Sequence, residues 1–107
     1  ELQLEKDYIH IGCFDESRLG GCCMLVPRGK EVLQLRQMAV IAGLQGKGIG
    51  RVIMQFAENI SRDRGYKKLI MHARKTAMGF YEKLGYKTVG KEFTEVTIPH
   101  YVMEKEL

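Results

Sequence analysis

Three segments among the first forty residues read as β-strands, of which 8–14 alternates between hydrophobic and polar side chains and the third alternates until an apolar end at 38–40. The segments cover residues 8–14, 18–26 and 31–40, and turns at 15–17 and 27–30 separate them. Because strands joined by such short turns run antiparallel, the pattern predicts a β-meander.

Beyond this meander the hydrophobic period lengthens to about 3.6 residues, which is typical of an amphipathic helix. We predict a helix over 49–64 that ends at Gly65, since glycine readily adopts the left-handed conformation at that position. A strand at 68–73 follows, and the crossover through the helix makes it parallel to the third strand. The predicted apolar face of the helix consists of Ile49, Val52, Ile53, Phe56, Ala57 and Ile60.

The last third of the chain predicts one short helix and two closing strands. Thr76 is a suitable N-cap for the helix, and Gly85 is a suitable stop. Its predicted apolar face consists of Ala77, Phe80 and Leu84. Residues 86–89 and 99–107 then read as antiparallel strands. The order β-β-β-α-β-α-β-β predicts an α+β fold with a mixed, mostly antiparallel sheet and helices packed on it.

A glycine-rich turn, Gln45-Gly46-Lys47-Gly48-Ile49-Gly50, lies between the third strand and the long helix. Backbone N–H groups at a helix N-terminus favour a phosphate, and glycine lets the backbone approach it closely. A Walker A loop would need serine or threonine after Lys47, where the chain has Gly48. A dinucleotide fingerprint also matches only in part. A turn that merely joins the strand to the helix is the simpler alternative.

Two motifs together resemble one known family, the GNAT (GCN-five-related) N-acetyltransferases. Gln45, Gly48 and Gly50 match the Gln-x-x-Gly-x-Gly pattern of its acetyl-CoA loop, and 80–86 (Phe-Tyr-Glu-Lys-Leu-Gly-Tyr) resembles the end of its last helix. The resemblance covers roughly residues 8–107. It implies that acetyl-CoA is the co-substrate. It also implies that the two central parallel strands splay apart and open a V-shaped slot for the pantetheine arm.

The resemblance assigns the coenzyme-binding residues. Backbone N–H groups of 46–51 would hold the pyrophosphate, and the edge of the third strand would pair with the pantetheine amides. The family often has an asparagine after the next strand. This chain has none there, and a contact from Arg74 to a phosphate is one substitute. The expected set is Met38, Val40, Gln45, Gly46, Lys47, Gly48, Ile49, Gly50, Arg51, Arg74 and Phe80.

The resemblance also suggests the catalytic groups. Tyr81 occupies the family's tyrosine position, and we expect it to be the general acid that protonates the departing thiolate. Many relatives carry a glutamate base where this chain has Gln34, which cannot accept a proton. His72 is the leading candidate base because it ends a central parallel strand. A water relay or an amine that arrives neutral would need no base. The other candidate bases are His10, Glu31 and His100.

These residues lead to two hypotheses for the function. The first is an N-acetyltransferase that moves the acetyl group of acetyl-CoA to a primary amine of a small molecule or peptide. The alternative is a non-catalytic acyl-CoA-binding module, which Gln34 makes plausible. The net charge of +4 raises the question of nucleic acid. However, acidic residues interrupt the basic ones and no aromatic residues are interleaved for base stacking, so we expect no nucleic-acid partner.

Length and composition suggest one domain spanning residues 1–107. No run of 18 apolar residues occurs, so we expect no membrane span and a cytoplasmic protein. The three cysteines lack metal-ligand spacing, so we expect no metal. Family domains normally open with a strand and helices that line the acceptor cleft, and these are missing from the chain as given. We therefore expect either a longer protein or a homodimer that covers the exposed sheet.

Overall fold

The computed structural model describes residues 8–15, 18–41, 43, 46 and 48–107. Within these residues a single turn of 3₁₀ helix (Lys75–Ala77) precedes the second of two α-helices. The strands are β1 (Ile9–Asp15), β2 (Arg18–Pro27), β3 (Val32–Val40), β4 (Lys68–Arg74), β5 (Lys87–Glu95) and β6 (Ile98–Glu106), and the helices are α1 (Ile49–Asp63) and α2 (Met78–Lys83).

The six strands form one sheet in the order β1-β2-β3-β4-β6-β5. All neighbouring pairs are antiparallel except β3 and β4, which the crossover through α1 makes parallel. The predicted α+β architecture, with a mixed, mostly antiparallel sheet, is confirmed. None of the described helices is long and apolar enough to cross a membrane.

The two central strands pair over only part of their length. Parallel pairing runs from Val32 opposite Lys68 to Leu35 opposite Met71. Beyond this point β3 stays paired with β2, and β4 stays paired with β6. An irregularity in the β2–β3 ladder gives β3 one extra residue where Gln37 has a positive φ of 55°. A bulge of this kind bends its strand, so β3 turns away from β4. The predicted splay is confirmed.

Helix α1 packs on the sheet over β1, β2 and β3. Its predicted apolar face is wrong for two residues, because Val52 and Phe56 are each 55% exposed. Two polar residues of α1, Glu58 and Ser61, are buried instead. Ser61 satisfies its hydroxyl by donating a hydrogen bond to the carbonyl of Ala57 at 2.7 Å, and Glu58 is held by ionic and hydroxyl partners. A hydrophobic pattern alone cannot place polar side chains in a core.

The buried carboxylate of Glu58 connects three parts of the fold. The Tyr86 hydroxyl donates to one carboxylate oxygen at 2.8 Å, and Lys105 Nζ donates to the other at 3.0 Å. Lys105 also donates to the Leu84 carbonyl at 2.7 Å. Burial and the Glu58 carboxylate raise the pKa of Tyr86 well above its usual range. This cluster ties α1 to β6 and to the segment that follows α2, so it helps to set the position of α2 against the sheet.

Helix α2 differs from its prediction in two ways. Thr76 does not cap it, because Thr76 lies inside the 3₁₀ turn and the N-cap residue is Ala77, which has no side-chain cap. Ala77 already has helical dihedral angles, whereas a capping residue is usually extended. The buried residue of α2 is Tyr81, while Phe80 remains 38% exposed. The strand that follows is also longer than predicted, since β5 continues to Glu95 past an irregularity near Gly90.

A two-residue turn made of Val96 and Thr97 joins β5 to β6, and it has an unusual backbone. Both residues have positive φ values, 50° and 60°. Tight hairpins need this geometry, but Asn-Gly is the sequence that normally provides it. A β-branched residue in the left-handed region is strained. The turn therefore stores strain directly after Glu95, at one end of the sheet.

The double substitution Val96→Asn with Thr97→Gly should stabilise the protein. It relieves left-handed strain that costs roughly 1–2 kcal/mol per residue, offset in part by the backbone entropy of glycine, so we expect a gain of about 1–2 kcal/mol. Urea unfolding of the wild type and the variant measures this gain as the difference in the free energy of unfolding. As a control, Thr88→Gly near the start of β5, where the side chain is exposed, should lower stability. An unchanged or reduced stability of the turn variant would show that the turn is not strained.

Candidate active site

The N-terminus of α1 presents unpaired backbone donors. Its N-cap residue is Gly48, which has a φ of 83°, and the first intrahelical hydrogen bond runs from the Val52 N–H to the Gly48 carbonyl at 3.1 Å. The N–H groups of Ile49, Gly50 and Arg51 precede that bond and have no partner within the helix. No acidic residue lies in the first turn. The helix end is therefore suited to an anion.

A groove of about 700 Å³ starts at this helix end. Gly50 keeps part of it open, because a Cβ at that position would lie 3.2 Å from the Phe80 ring and 3.4 Å from the Met38 methyl. We call it the helix groove. Its lining residues are Met38, Ala39, Val40, Gly46, Gly48, Ile49, Gly50, Arg51, Ala77, Phe80 and Tyr81.

A second cleft, of about 790 Å³, adjoins the helix groove where β3 and β4 separate. Met38, Ala77 and Tyr81 line both, so the two spaces meet at these side chains. We call the second space the histidine cleft. Its lining residues are Arg28, 34–38, 71–74, Ala77, Tyr81, Glu95, Val96 and His100.

Tyr81 lies at this junction and is almost completely buried. Its ring packs edge-on against Phe80 and Tyr86, with centroid distances of 5.0 Å and 6.0 Å. Burial, followed by the nearby thiol of Cys23, raises the pKa of Tyr81 to about 12. Its hydroxyl makes no hydrogen bond to another described residue, and because no buried side-chain oxygen among them lacks a partner, this hydroxyl is accessible to solvent. The phenol therefore keeps its proton at neutral pH and can donate it to a bound molecule.

Two histidines share one carboxylate in the histidine cleft. His72 Nδ1 lies 3.0 Å from Glu95 Oε1. His100 Nδ1 donates to the Ile98 carbonyl at 2.8 Å, and its Nε2 lies 3.8 Å from Glu95 Oε2. The hydrogen bond from His72 is the main cause that lowers the pKa of Glu95, and the charges of His72, His100 and Arg36 add to it. A carboxylate on one ring nitrogen orients the imidazole for proton transfer.

Sequence reasoning missed Glu95. The strand that was predicted to end at 89 continues to this residue, and the β5–β6 register then brings Glu95 to His72, 23 positions away in the chain. The turn after Glu95 lacks glycine and asparagine, so no hairpin signal marked the place. The longer strand and the hairpin are visible only in the structure.

Most of the other candidate residues line one of the two spaces. His72, His100 and Gln34 line the histidine cleft, whereas His10 and Glu31 line neither. Arg74 also lines the histidine cleft and not the helix groove. Gln34 is fixed by Arg28, whose Nε donates to its side-chain oxygen at 2.6 Å. Met38, Val40, Gly46, Gly48, Ile49, Gly50, Arg51 and Phe80 line the helix groove, and Gln45 and Lys47 lie outside the described residues.

Within the part of the chain that the structure describes, no three histidine, cysteine or acidic side chains are grouped as they would be around a metal ion.

Comparison with known proteins identifies the family. The model of the acetyltransferase (GNAT) domain matches residues 1–107. The chain belongs to the GNAT family. YjcF of Bacillus subtilis, an uncharacterized N-acetyltransferase, is 31% identical over 106 residues, which cover 97% of this chain and 74% of YjcF. YyaT of the same organism, an uncharacterized protein, is 34% identical over 74 residues, which cover 69% of this chain. The chain spans about half the length of curated relatives such as YyaT.

A solved GNAT structure confirms the fold independently. The crystal structure of an aminoglycoside 6'-N-acetyltransferase complexed with coenzyme A superimposes with a TM-score of 0.86. The match covers 98% of this chain and 76% of that protein, at 19% sequence identity. At this identity the likeness concerns the fold alone. The mixed sheet with its splayed central strands thus has a GNAT architecture.

Proposed function

We propose that this chain transfers the acetyl group of acetyl-CoA to a primary amine by direct attack of the amine on the thioester. The observation that carries the proposal is the junction of two clefts at Met38, Ala77 and Tyr81, in the gap between β3 and β4. One cleft leads to a helix N-terminus suited to phosphate, and the other contains groups able to accept a proton. A reaction between two molecules needs such a meeting point.

The helix groove fits the coenzyme. Backbone donors at 49–51, the charge of Arg51 and the lack of an acidic residue in the first turn would favour its pyrophosphate. Met38 and Val40 lie along the same groove, where the pantetheine arm would follow β3. The bound coenzyme supplies an acetyl thioester, which reacts with amines. The chain's own part is to hold that thioester in the gap and to stabilise the charges that develop.

Tyr81 is our proposed general acid. In the reaction the amine nitrogen bonds to the thioester carbon and the carbon–sulfur bond breaks, so the sulfur leaves with a negative charge. A phenol at the junction can donate its hydrogen to that sulfur. The raised pKa of Tyr81 keeps the proton available, but it also makes complete transfer to a thiolate unfavourable early in the reaction. We therefore expect Tyr81 to hydrogen-bond to the sulfur first and to transfer its proton as the carbon–sulfur bond breaks and negative charge builds up on the sulfur.

His72 is our proposed base, oriented by Glu95. The hydrogen bond between them leaves Nε2 of His72 as the nitrogen that would take a proton from the attacking amine. The carboxylate would stabilise the imidazolium that results. Gln34, where many relatives have a glutamate, is engaged by Arg28 and cannot take this role. Without His72, a water relay or an amine that arrives neutral would serve instead, whereas the alternative of a non-catalytic acyl-CoA-binding module predicts no turnover at all.

The first prediction concerns coenzyme binding. Gly48→Asp adds a carboxylate beside the helix N-terminus, so affinity for acetyl-CoA should fall at least tenfold, or about 1.4 kcal/mol. Isothermal titration calorimetry measures the dissociation constant of acetyl-CoA. Gly29→Asp is a matched control, because Gly29 also has a positive φ and open space but lines neither cleft. Equal losses in both variants would contradict coenzyme binding at this turn.

The second prediction concerns turnover. Tyr81→Phe should lower kcat by about 10²–10⁴, the range for acid–base residues, while leaving acetyl-CoA affinity almost unchanged. Release of free thiol, followed with a panel of primary amines, measures kcat. Tyr66→Phe, outside both clefts, is the control. A Tyr81→Phe rate within twofold of wild type would rule out the acid role, and absence of turnover by the wild type would favour the binding module.

The third prediction tests the base through the pH dependence of the rate. His72 must be neutral to accept a proton, and the hydrogen bond to Glu95 orients its ring so that Nε2 faces the amine. Glu95→Gln should therefore reduce the plateau of the kcat/KM profile, whereas His72→Gln should reduce it further and remove the acidic limb. His10→Gln on β1 serves as the control. Superimposable profiles of wild type and both cleft variants would exclude His72 as the base.

A further inference from the structure

The histidine cleft has an unbalanced charge. Arg28, Arg36 and Arg74 line it, and Glu95 is the one acidic residue among the described residues that line it. Glu95 is already engaged by two histidines. None of the three arginines forms a salt bridge within the described residues. All three residues are exposed, and all three line the cleft that would receive the acceptor.

Arg36 is the best placed of the three. It directly follows Leu35, the last residue of β3 that pairs with β4, and it precedes the bulge at Gln37. It therefore lies where the strands begin to separate. Its positive charge is one of the causes that lower the pKa of Glu95, which lines the same cleft. Arg28 is held in a defined place through its hydrogen bond to Gln34.

We propose that the acceptor carries an anionic group, a carboxylate or a phosphate, close to its reacting amine, and that Arg36 with Arg28 binds this group. The inference rests on the proposed acetyl transfer, since it names the substrate class of the same cleft. Guanidinium groups match the shape of carboxylates and phosphates and bind them with two parallel hydrogen bonds. The amine would then lie toward Glu95 and His72. Polycationic amines would be repelled by the surplus positive charge.

Matched pairs of acceptors test the charge requirement. Glycine, methionine, phenylalanine and glutamate are each compared with their amides, and phosphoethanolamine is compared with ethanolamine. Spermidine and kanamycin represent polycations. We expect kcat/KM to be at least tenfold higher for the anionic member of one or more pairs. The neighbouring carboxylate makes an amine harder to deprotonate, so a preference for the acid cannot arise from amine ionisation.

The arginines are tested by substitution. Arg36→Gln should reduce the ratio of kcat/KM for acid and amide to near one, mainly through KM of the acid, while affinity for acetyl-CoA is retained. Arg64→Gln is the matched control, because Arg64 is an exposed arginine outside both clefts. Carboxylates and phosphoethanolamine are separate arms, so the ratios also show which anion is preferred.

Binding is measured alongside turnover, so that the two hypotheses can fail separately. The same pairs are titrated calorimetrically into the protein saturated with coenzyme A. Binding of an anionic member that is at least tenfold tighter, and that is lost in Arg36→Gln, would support the inference even if no amine were acetylated. The absence of acetylation would then count only against the proposed acetyl transfer. Equal or tighter binding of the neutral members, or faster turnover of spermidine or kanamycin, would overturn the inference and leave acetyl transfer standing.

Discussion

Parallel hydrogen bonding between β3 and β4 ends at Leu35 and Met71, although both strands continue. Each strand keeps an antiparallel partner on its outer side, so the sheet remains connected while its centre opens. The extra residue near Gln37 supplies the bend. A sheet normally satisfies its backbone groups strand by strand, and an opening of this kind leaves groups available to a ligand. Both clefts depend on this opening.

The gap between β3 and β4 can support the proposed reaction only if the Tyr81 side chain reaches it. Contacts far from the gap hold Tyr81 in that position. Tyr81 enters from α2, a helix of six residues that is too short to be stable without support. The buried Glu58 carboxylate provides support through Tyr86 and through Lys105, which also binds the Leu84 carbonyl. A carboxylate in α1 thus helps to position a phenol at the junction of the clefts. Removing one partner of such a buried cluster is strongly destabilising.

Local patterns were enough to predict the element order, because hydrophobic periods and turn residues are short-range signals. The splay of the central strands came from the family resemblance and not from a local pattern. The orientation of α1 was harder. A 3.6-residue period fits several faces, and Val52 and Phe56 turned out exposed while Glu58 and Ser61 are buried. The pairing of Glu95 with His72 depends on strand register and on a turn without glycine, which no local pattern contains. The predicted roles of individual site residues stay predictions, and Gln45 and Lys47 lie outside the described residues.

Acetyl transfer at the junction of the two clefts requires the coenzyme to lie in the helix groove. A crystal structure of the chain with coenzyme A would determine its position. We expect the pyrophosphate at the N–H groups of residues 49–51, the pantetheine arm along Met38 and Val40, and the sulfur in the gap beside the Tyr81 hydroxyl. Such a complex would leave the histidine cleft open to an acceptor. A coenzyme bound outside the gap, or with its sulfur remote from Tyr81, would contradict the account.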